Sequence, residues 1–304
     1  MKKCWKILFG VIGCLAVFGL VCVILGYCLG GMEQAYRIVE EEIRWEDDWV
    51  GSNLEEGAEV EEWPKEWPVI RESHYEDLEL AVADQISQIR MEIDSCQIDI
   101  EASDTDFYGI AADDVIAAQY YREGDTLIVR TVKGNRRNEK LTLYIPQSSQ
   151  VSMMEIEIGG GELTAKDLRT DMLLLQAGGG QFVVERLEAD KAEIQVGAGN
   201  MEIRNGELTE LVVEAGVGHF SYQGSIEEEV DVTCGMGAIK MEIAGKAEDF
   251  DYEVEGALGE ITVNGVLMEG KHEWRNNAEK QMELICSMGA IEVTFYENGG
   301  NEYE

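Results

Sequence analysis

From about residue 78 onward, apolar and polar residues alternate in short runs, and the runs recur at a fixed interval. Met154, Ile156, Leu163 and Ala165 are followed by Leu173, Leu175, Phe182 and Val184, then by Ala192, Ile194, Met201 and Ile203, each set 19 residues after the last. A short Gly-x-Gly element divides every set. Aligned on its second glycine, the copies fall at Gly161, Gly180, Gly199, Gly218 and Gly237, with degenerate copies at Gly259 and Gly289 after spacings of 22 and 30. Internal repetition of this kind takes precedence over any local reading.

The glycine alignment leaves the other columns as an independent check. Seven and five positions before the glycine, and two and four after it, all 28 sites are apolar, from Met154 and Ile156 in the first copy to Ile291 and Val293 in the last. The column six before is mostly acidic: Glu155, Leu174, Glu193, Val212, Asp231, Glu253 and Glu283. A period of two inside a copy means strands with one buried face. A period near 19 between copies means rungs stacked by parallel ladder bonds about 4.8 Å apart, each burying its apolar face against its neighbours. The expected fold is mainly β: a single-stranded β-solenoid of glycine-marked rungs, with residues 150–297 regular and stacked in sequence order. Gly161, Gly180, Gly199, Gly218, Gly237, Gly259 and Gly289 are the expected rung corners, where a sharp turn between two inward-facing strands calls for positive φ and close backbone approach. Residues 78–149 read as irregular opening rungs, with Ile98 and Ile100, Leu127 and Val129, and Leu141, Leu143 and Ile145 alternating. Glu123-Gly124-Asp125 and Lys133-Gly134-Asn135 mark turns there. The polar tail 298–304 is expected to cap the stack.

A different pattern opens the chain. No charge occurs from Ile7 to Met32, and a helix of that length exceeds the roughly 30 Å hydrocarbon core. Residues 1–32 therefore read as a cytoplasmic tip and one N-terminal transmembrane helix. Lys2, Lys3 and Lys6 precede it and acidic residues follow, which orients the N-terminus inward and the rest of the chain outside. A cleaved signal fits less well, because the run outlasts a signal h-region. A lipobox-like Val11-Ile12-Gly13-Cys14 sits inside a run that continues far beyond it. Residues 33–77 hold four of the six tryptophans and a heavy acidic excess, and read as a self-repelling spacer. The repeated Glu-Trp-Pro at Glu62-Trp63-Pro64 and Glu66-Trp67-Pro68 leaves a recognition motif open.

Composition narrows the function. The 61 acidic against 24 basic residues give a formal charge of −37 over 304 residues, which opposes binding to nucleic acid. No Gly-x-Gly element completes a dinucleotide fingerprint, and the position after the marker glycine is never Asp, unlike calcium-binding glycine-rich rolls. No cofactor and no dedicated metal site is expected, although so acidic a surface is compatible with diffuse cation binding. Glu202, Lys240 and Glu292 share an outward column. In sequence order Glu202 and Glu292 are four rungs apart, about 19 Å, too far for a glycosidase carboxylate pair. His74, His219 and His272 are scattered. Cys234 and Cys286 share an inward column with Gly256 between them, which puts their Cα atoms about 10 Å apart, beyond disulfide reach, and makes them buried thiols.

Asp125-Thr126-Leu127-Ile128-Val129, Leu141-Thr142-Leu143-Tyr144-Ile145-Pro146 and the successive Gly-x-Gly rungs ending in Cys286-Ser287-Met288-Gly289-Ala290-Ile291 resemble the bacterial β-strand-repeat, adhesin-like family DUF4097. The resemblance spans about residues 78–296. It implies a surface-exposed solenoid, often on membrane proteins and sometimes linked to envelope stress responses, with no catalytic residues to carry over. The expectation is a membrane-anchored, extracytoplasmic, non-catalytic binding or adhesin-like module. Its partners would be the lipid bilayer, through the N-terminal helix, and an envelope polymer or protein. The alternatives are an accessory component of envelope stress signalling and, least supported, a polysaccharide-cleaving enzyme.

Overall fold

The computed structural model describes residues 69–70, 74–81, 86–113, 118–131, 140–268 and 270–297. The apolar segment 7–32, the acidic stretch up to residue 68, the Lys133-Gly134-Asn135 turn and the tail 298–304 lie outside the described residues. Among the described residues no helix is long and apolar enough to cross a membrane. Strands dominate. In chain order they are β1 (Val69–Ile70), β2 (His74–Ala81), β3 (Gln88–Ser103), β4 (Phe107–Asp113), β5 (Ala118–Glu123), β6 (Thr126–Thr131), β7 (Lys140–Pro146), β8 (Met153–Ala165), β9 (Leu168–Val184) and β10 (Leu187–Val196). There follow β11 (Asn200–Ala215), β12 (His219–Cys234), β13 (Ala238–Ala244), β14 (Phe250–Gly256), β15 (Glu260–Val263), β16 (Val266–Met268), β17 (Lys271–Trp274), β18 (Lys280–Cys286) and β19 (Ala290–Tyr296).

The 19-residue period is the register of a parallel, solenoid-like ladder. Strand β8 pairs with β9, β9 with β10 and β10 with β11, each residue opposite the one 19 later. All 28 apolar column sites are buried, so the alternation read in the sequence is the alternation between core and solvent. Leu163, Phe182, Met201, Phe220 and Ile239 follow one another as direct register partners, in one continuous internal stack. Each fully buried side chain of this size contributes about 1.5–3 kcal/mol over leaving it in water.

The structure adds a third inward segment to each rung where two were expected. Asp190 and Lys191 both turn outward and break the alternation of β10, as Glu185 and Arg186 do after β9. The rung thus buries Ala192, Ile194 and Val196, then Met201 and Ile203, then Leu208 beside Gly206. The third column also holds Thr170, so no uniform apolar signature marks it in the sequence. Gly206 itself makes room for Tyr222. A Cβ at residue 206 would overlap that ring, and the Tyr222 hydroxyl donates to the Ser225 carbonyl at 2.8 Å. Here the register slips, and Gly206 to Leu208 pair 18 residues ahead with Gly224 to Ile226.

The rungs do not stack in sequence order at either end, which corrects the sequential stack expected from the spacings. At the N-terminal end β3 lies between β8 on one side and β6 and β7 on the other. Antiparallel strands β5 and β4 cover β6 and β7, and β1 and β2 pair with those in turn. At the C-terminal end β12 and β13 pair with β18 and β19, and these in turn pair with β14 and β15. The copy marked by Gly289 therefore sits between those marked by Gly237 and Gly259. Antiparallel β17 and β16 close the outer side of β14 and β15. Reversing direction at both ends keeps the long parallel edge from being offered to another chain. The inserted rung is held by polar bonds as well as by its core residues. The Gly245 amide donates to the Tyr296 carbonyl at 2.9 Å, the Phe295 amide to the Asn264 side-chain oxygen at 2.8 Å, and Lys280 Nζ to the Ile226 carbonyl at 2.9 Å.

Candidate binding face

The corner glycines fall in one column, in the spatial order Gly161, Gly180, Gly199, Gly218, Gly237, Gly289, Gly259. A Cβ built on any of them would lie under 3.0 Å from a carbonyl oxygen of the neighbouring rung. The expectation of positive φ holds for only two of them: Gly161 and Gly180 have φ of 116° and 136°, and the other five lie outside the left-handed region. What the column shares is rung-to-rung clearance.

Immediately before the marker glycine of the later corners stands a residue that points to solvent. In space these residues run Ala198, Val217, Met236, Met288, Leu258. The amides of the last four donate at 2.8 Å to carbonyls of the preceding rung, so the row is held by an unbroken ladder. Val217 is 60% exposed, Met236 57%, Met288 57% and Leu258 83%, which makes this an apolar rail on the surface rather than the edge of the core. The sequence shows these residues only as the variable position before the marker glycine. The rung order decides only their succession in space, with Met288 between Met236 and Leu258.

An acidic row lies on the adjoining face, and the reordering puts Glu283 at its centre. Asp231 is opposite Glu283, and Glu283 is opposite Glu253, so three carboxylates stand on consecutive rungs. Burial raises the Asp231 carboxyl above the usual Asp range, and burial, then Asp231 and Glu253, raise that of Glu283. Glu214 is raised in the same way, by burial and then by Asp231 and Glu193. Lys271 Nζ reaches Glu255 at 3.2 Å and Glu253 at 3.4 Å, offsetting part of the repulsion at the outer end. A second acidic feature is a shallow groove of about 670 Å³ along the third corner, where Asp171, Glu188, Asp190, Glu207 and Glu227 outnumber Arg169.

The other sequence candidates take these places. Lys240 and Glu292 are direct partners, and Glu202 is two rungs from Lys240 through Ser221. Glu202 and Glu292 are therefore three rungs apart rather than four, about 14 Å, still beyond the roughly 5–9 Å of a glycosidase pair. Lys240 bonds instead to Glu242 at 2.7 Å, which raises its pKa. His219 and His272 are exposed and far apart in the register, and His74 lies in β2. Among the described residues no three His, Cys, Asp or Glu side chains converge as a metal site would require. Cys234 and Cys286 are adjacent, against the two-rung separation expected, because Gly256 lies beyond Cys286 rather than between them. The arrangement offers a rigid, ordered surface with an apolar rail and rows of carboxylates, chemistry suited to holding a partner.

No curated protein matches the chain in sequence. Solved structures similar to it include a putative cell adhesion protein from Clostridium sporogenes, at 9% identity over 75% of this chain and 100% of that one, with a TM-score of 0.34. Putative adhesins from Parabacteroides merdae and Parabacteroides distasonis match at 15% and 16% identity. They cover 73% and 75% of this chain and 95% and 98% of theirs, with TM-scores of 0.39 and 0.35. The sequence profile of the Toastrack DUF4097 family matches residues 76–266, more than half of the chain. Together with the glycine-marked parallel rungs, that match establishes that the chain belongs to the Toastrack DUF4097 family.

Proposed function

We propose that this protein is a membrane-anchored, non-catalytic binding module of the bacterial envelope, adhesin-like, with its rungs outside the membrane. The observation that carries the reading is the apolar rail of Val217, Met236, Met288 and Leu258. Exposed apolar residues in a continuous row on a rigid scaffold mark interaction surfaces. The rail lies at the edge of a face whose carboxylates would disfavour anionic partners and help orient cationic ones. The anchor is supported by the uncharged run Ile7–Met32, and the orientation by Lys2, Lys3 and Lys6 before it.

The test is retention of purified envelope glycan and solubilised envelope proteins by the full chain in detergent, compared with a Met236→Ser, Met288→Ser, Leu258→Ser variant. The proposal expects a component retained by the natural chain and lost, by at least tenfold, by the folded variant. Equal retention by both, or retention of nothing, overturns the rail as the binding element. Protease access to a C-terminal tag on intact cells tests the orientation separately, and protection of the tag overturns it.

A further inference from the structure

We propose that Cys234 and Cys286 form an inter-rung disulfide, a covalent staple that fastens the inserted β18–β19 rung to the body of the repeat. The two residues are direct register partners on adjacent parallel strands, β12 and β18. Rung spacing sets their Cα atoms about 4.8 Å apart, inside the 4.4–6.8 Å range that disulfides span. Both are buried as thiols in the core. Their sulfur atoms also have room made for them. The Cys234 Sγ lies where a Cβ on Gly289 would collide with it, and the Cys286 Sγ lies likewise against Gly259. The glycines that clear the corner thus leave a channel that the two sulfurs occupy.

The pair links residues far apart in sequence. A bond would close a loop of about 50 residues holding β13 to β18. Formation requires an external oxidant, and a small-molecule disulfide such as oxidised glutathione suffices. One cysteine thiolate attacks it and releases one glutathione thiolate, giving a mixed disulfide. The second cysteine thiolate attacks the protein sulfur and expels the other glutathione. Two protons leave the protein thiols, the protein loses two electrons, and oxidised glutathione is reduced to two thiols. Burial, and then the neighbouring Cys234, push the Cys286 thiol up to about 11, so it is protonated and slow to exchange while the rungs are closed. The bond therefore forms when the rung opens or first folds. Once closed in the core it resists reduction.

The experiment uses the full chain in detergent, incubated with oxidised glutathione at increasing urea concentrations below the unfolding midpoint, then alkylated under denaturing conditions and digested with trypsin. Cys234 falls in the tryptic peptide 205–240 and Cys286 in 281–304, while Cys96 falls in 91–122. The expected product joins 205–240 to 281–304, forms faster as urea loosens the rungs, and is released by dithiothreitol. Its unfolding midpoint is expected to lie roughly 10 °C above that of the reduced chain. Cys96→Ala is expected to leave both results unchanged, and Cys234→Ala to abolish both. Both thiols remaining alkylatable, linkage to any other cysteine, or a linked chain no more stable than the reduced one would each overturn the proposal. The pairing is tested in the purified chain, independently of which side of a membrane the rungs occupy. The state of the two thiols in cells, alkylated at lysis, tests the compartment instead.

Discussion

Replacing Gly180 by Ala tests the corner at the point where the structure is tightest. A Cβ there would lie 1.9 Å from the Gly161 carbonyl oxygen, where real Cβ atoms keep at least 3.0 Å, and residue 180 has a φ of 136°. The rungs would have to part by about 1 Å at the corner, weakening ladder bonds that are worth about 1 kcal/mol each. Holding a side chain in so unfavourable a backbone region costs about 1–3 kcal/mol more. The expected loss is about 3–5 kcal/mol, a shift of roughly 6–20 °C in the midpoint for a body of this size. The preceding residue is an internal control, since Gly179 has no positive φ and nothing within 4 Å of an added Cβ. Gly179→Ala is expected to stay within about 0.5 kcal/mol of the natural chain. Circular dichroism of the strand signal against temperature, on the full chain in detergent, reads both. Equal midpoints for the two variants would refute clearance between rungs as the reason for the glycine column.

Two further perturbations follow from particular contacts. Gly206→Ala should displace the Tyr222 ring and destabilise by about 1–3 kcal/mol, as overpacking does, with Tyr222→Phe in the same background failing to restore it fully because the ring carbons collide as well as the hydroxyl; urea midpoints check both. Glu283→Gln should raise stability at neutral pH by a few tenths of a kcal/mol, because it removes the middle charge of the Asp231, Glu283, Glu253 row. The sign with pH is set by the raised carboxyls of Asp231 and Glu283. The folded state holds their protons more tightly than the unfolded chain, so they favour folding below the usual carboxylate range and lose that advantage as pH rises through their raised values. Asp251 acts oppositely. Amide donors from Ala278 and Asn276 hold it low, so its contribution is complete above the usual Asp range and lost as pH falls through its lowered value. The benefit of Glu283→Gln should therefore vanish on acidification, and a benefit that persists at low pH would contradict the charge row as its cause.

The residue pattern alone dictates which side chains face inward and that copies 19 residues apart lie side by side. Both follow from local geometry: a strand alternates its side chains, and a repeat that cannot bury its own apolar face must stack on its neighbour. The contact between Phe182, Met201 and Phe220 was legible for that reason. The third inward segment was not, because Thr170 interrupts one of its two apolar columns and Gly206 the other, where a tyrosine from the next rung fills the gap. The order of the last rungs is set by contacts in the folded chain. Ile239 can pack against Ile261 or Ile291 equally well as an apolar surface, so the column pattern is degenerate between sequential stacking and insertion of β18 and β19. The choice rests on loop lengths, on the antiparallel hairpin closing β14 and β15, and on bonds such as Phe295 to Asn264 that join residues far apart in the chain. The touching cysteine rungs, the pairing of Lys240 with Glu292 and the central place of Glu283 in the acidic row all follow from that choice.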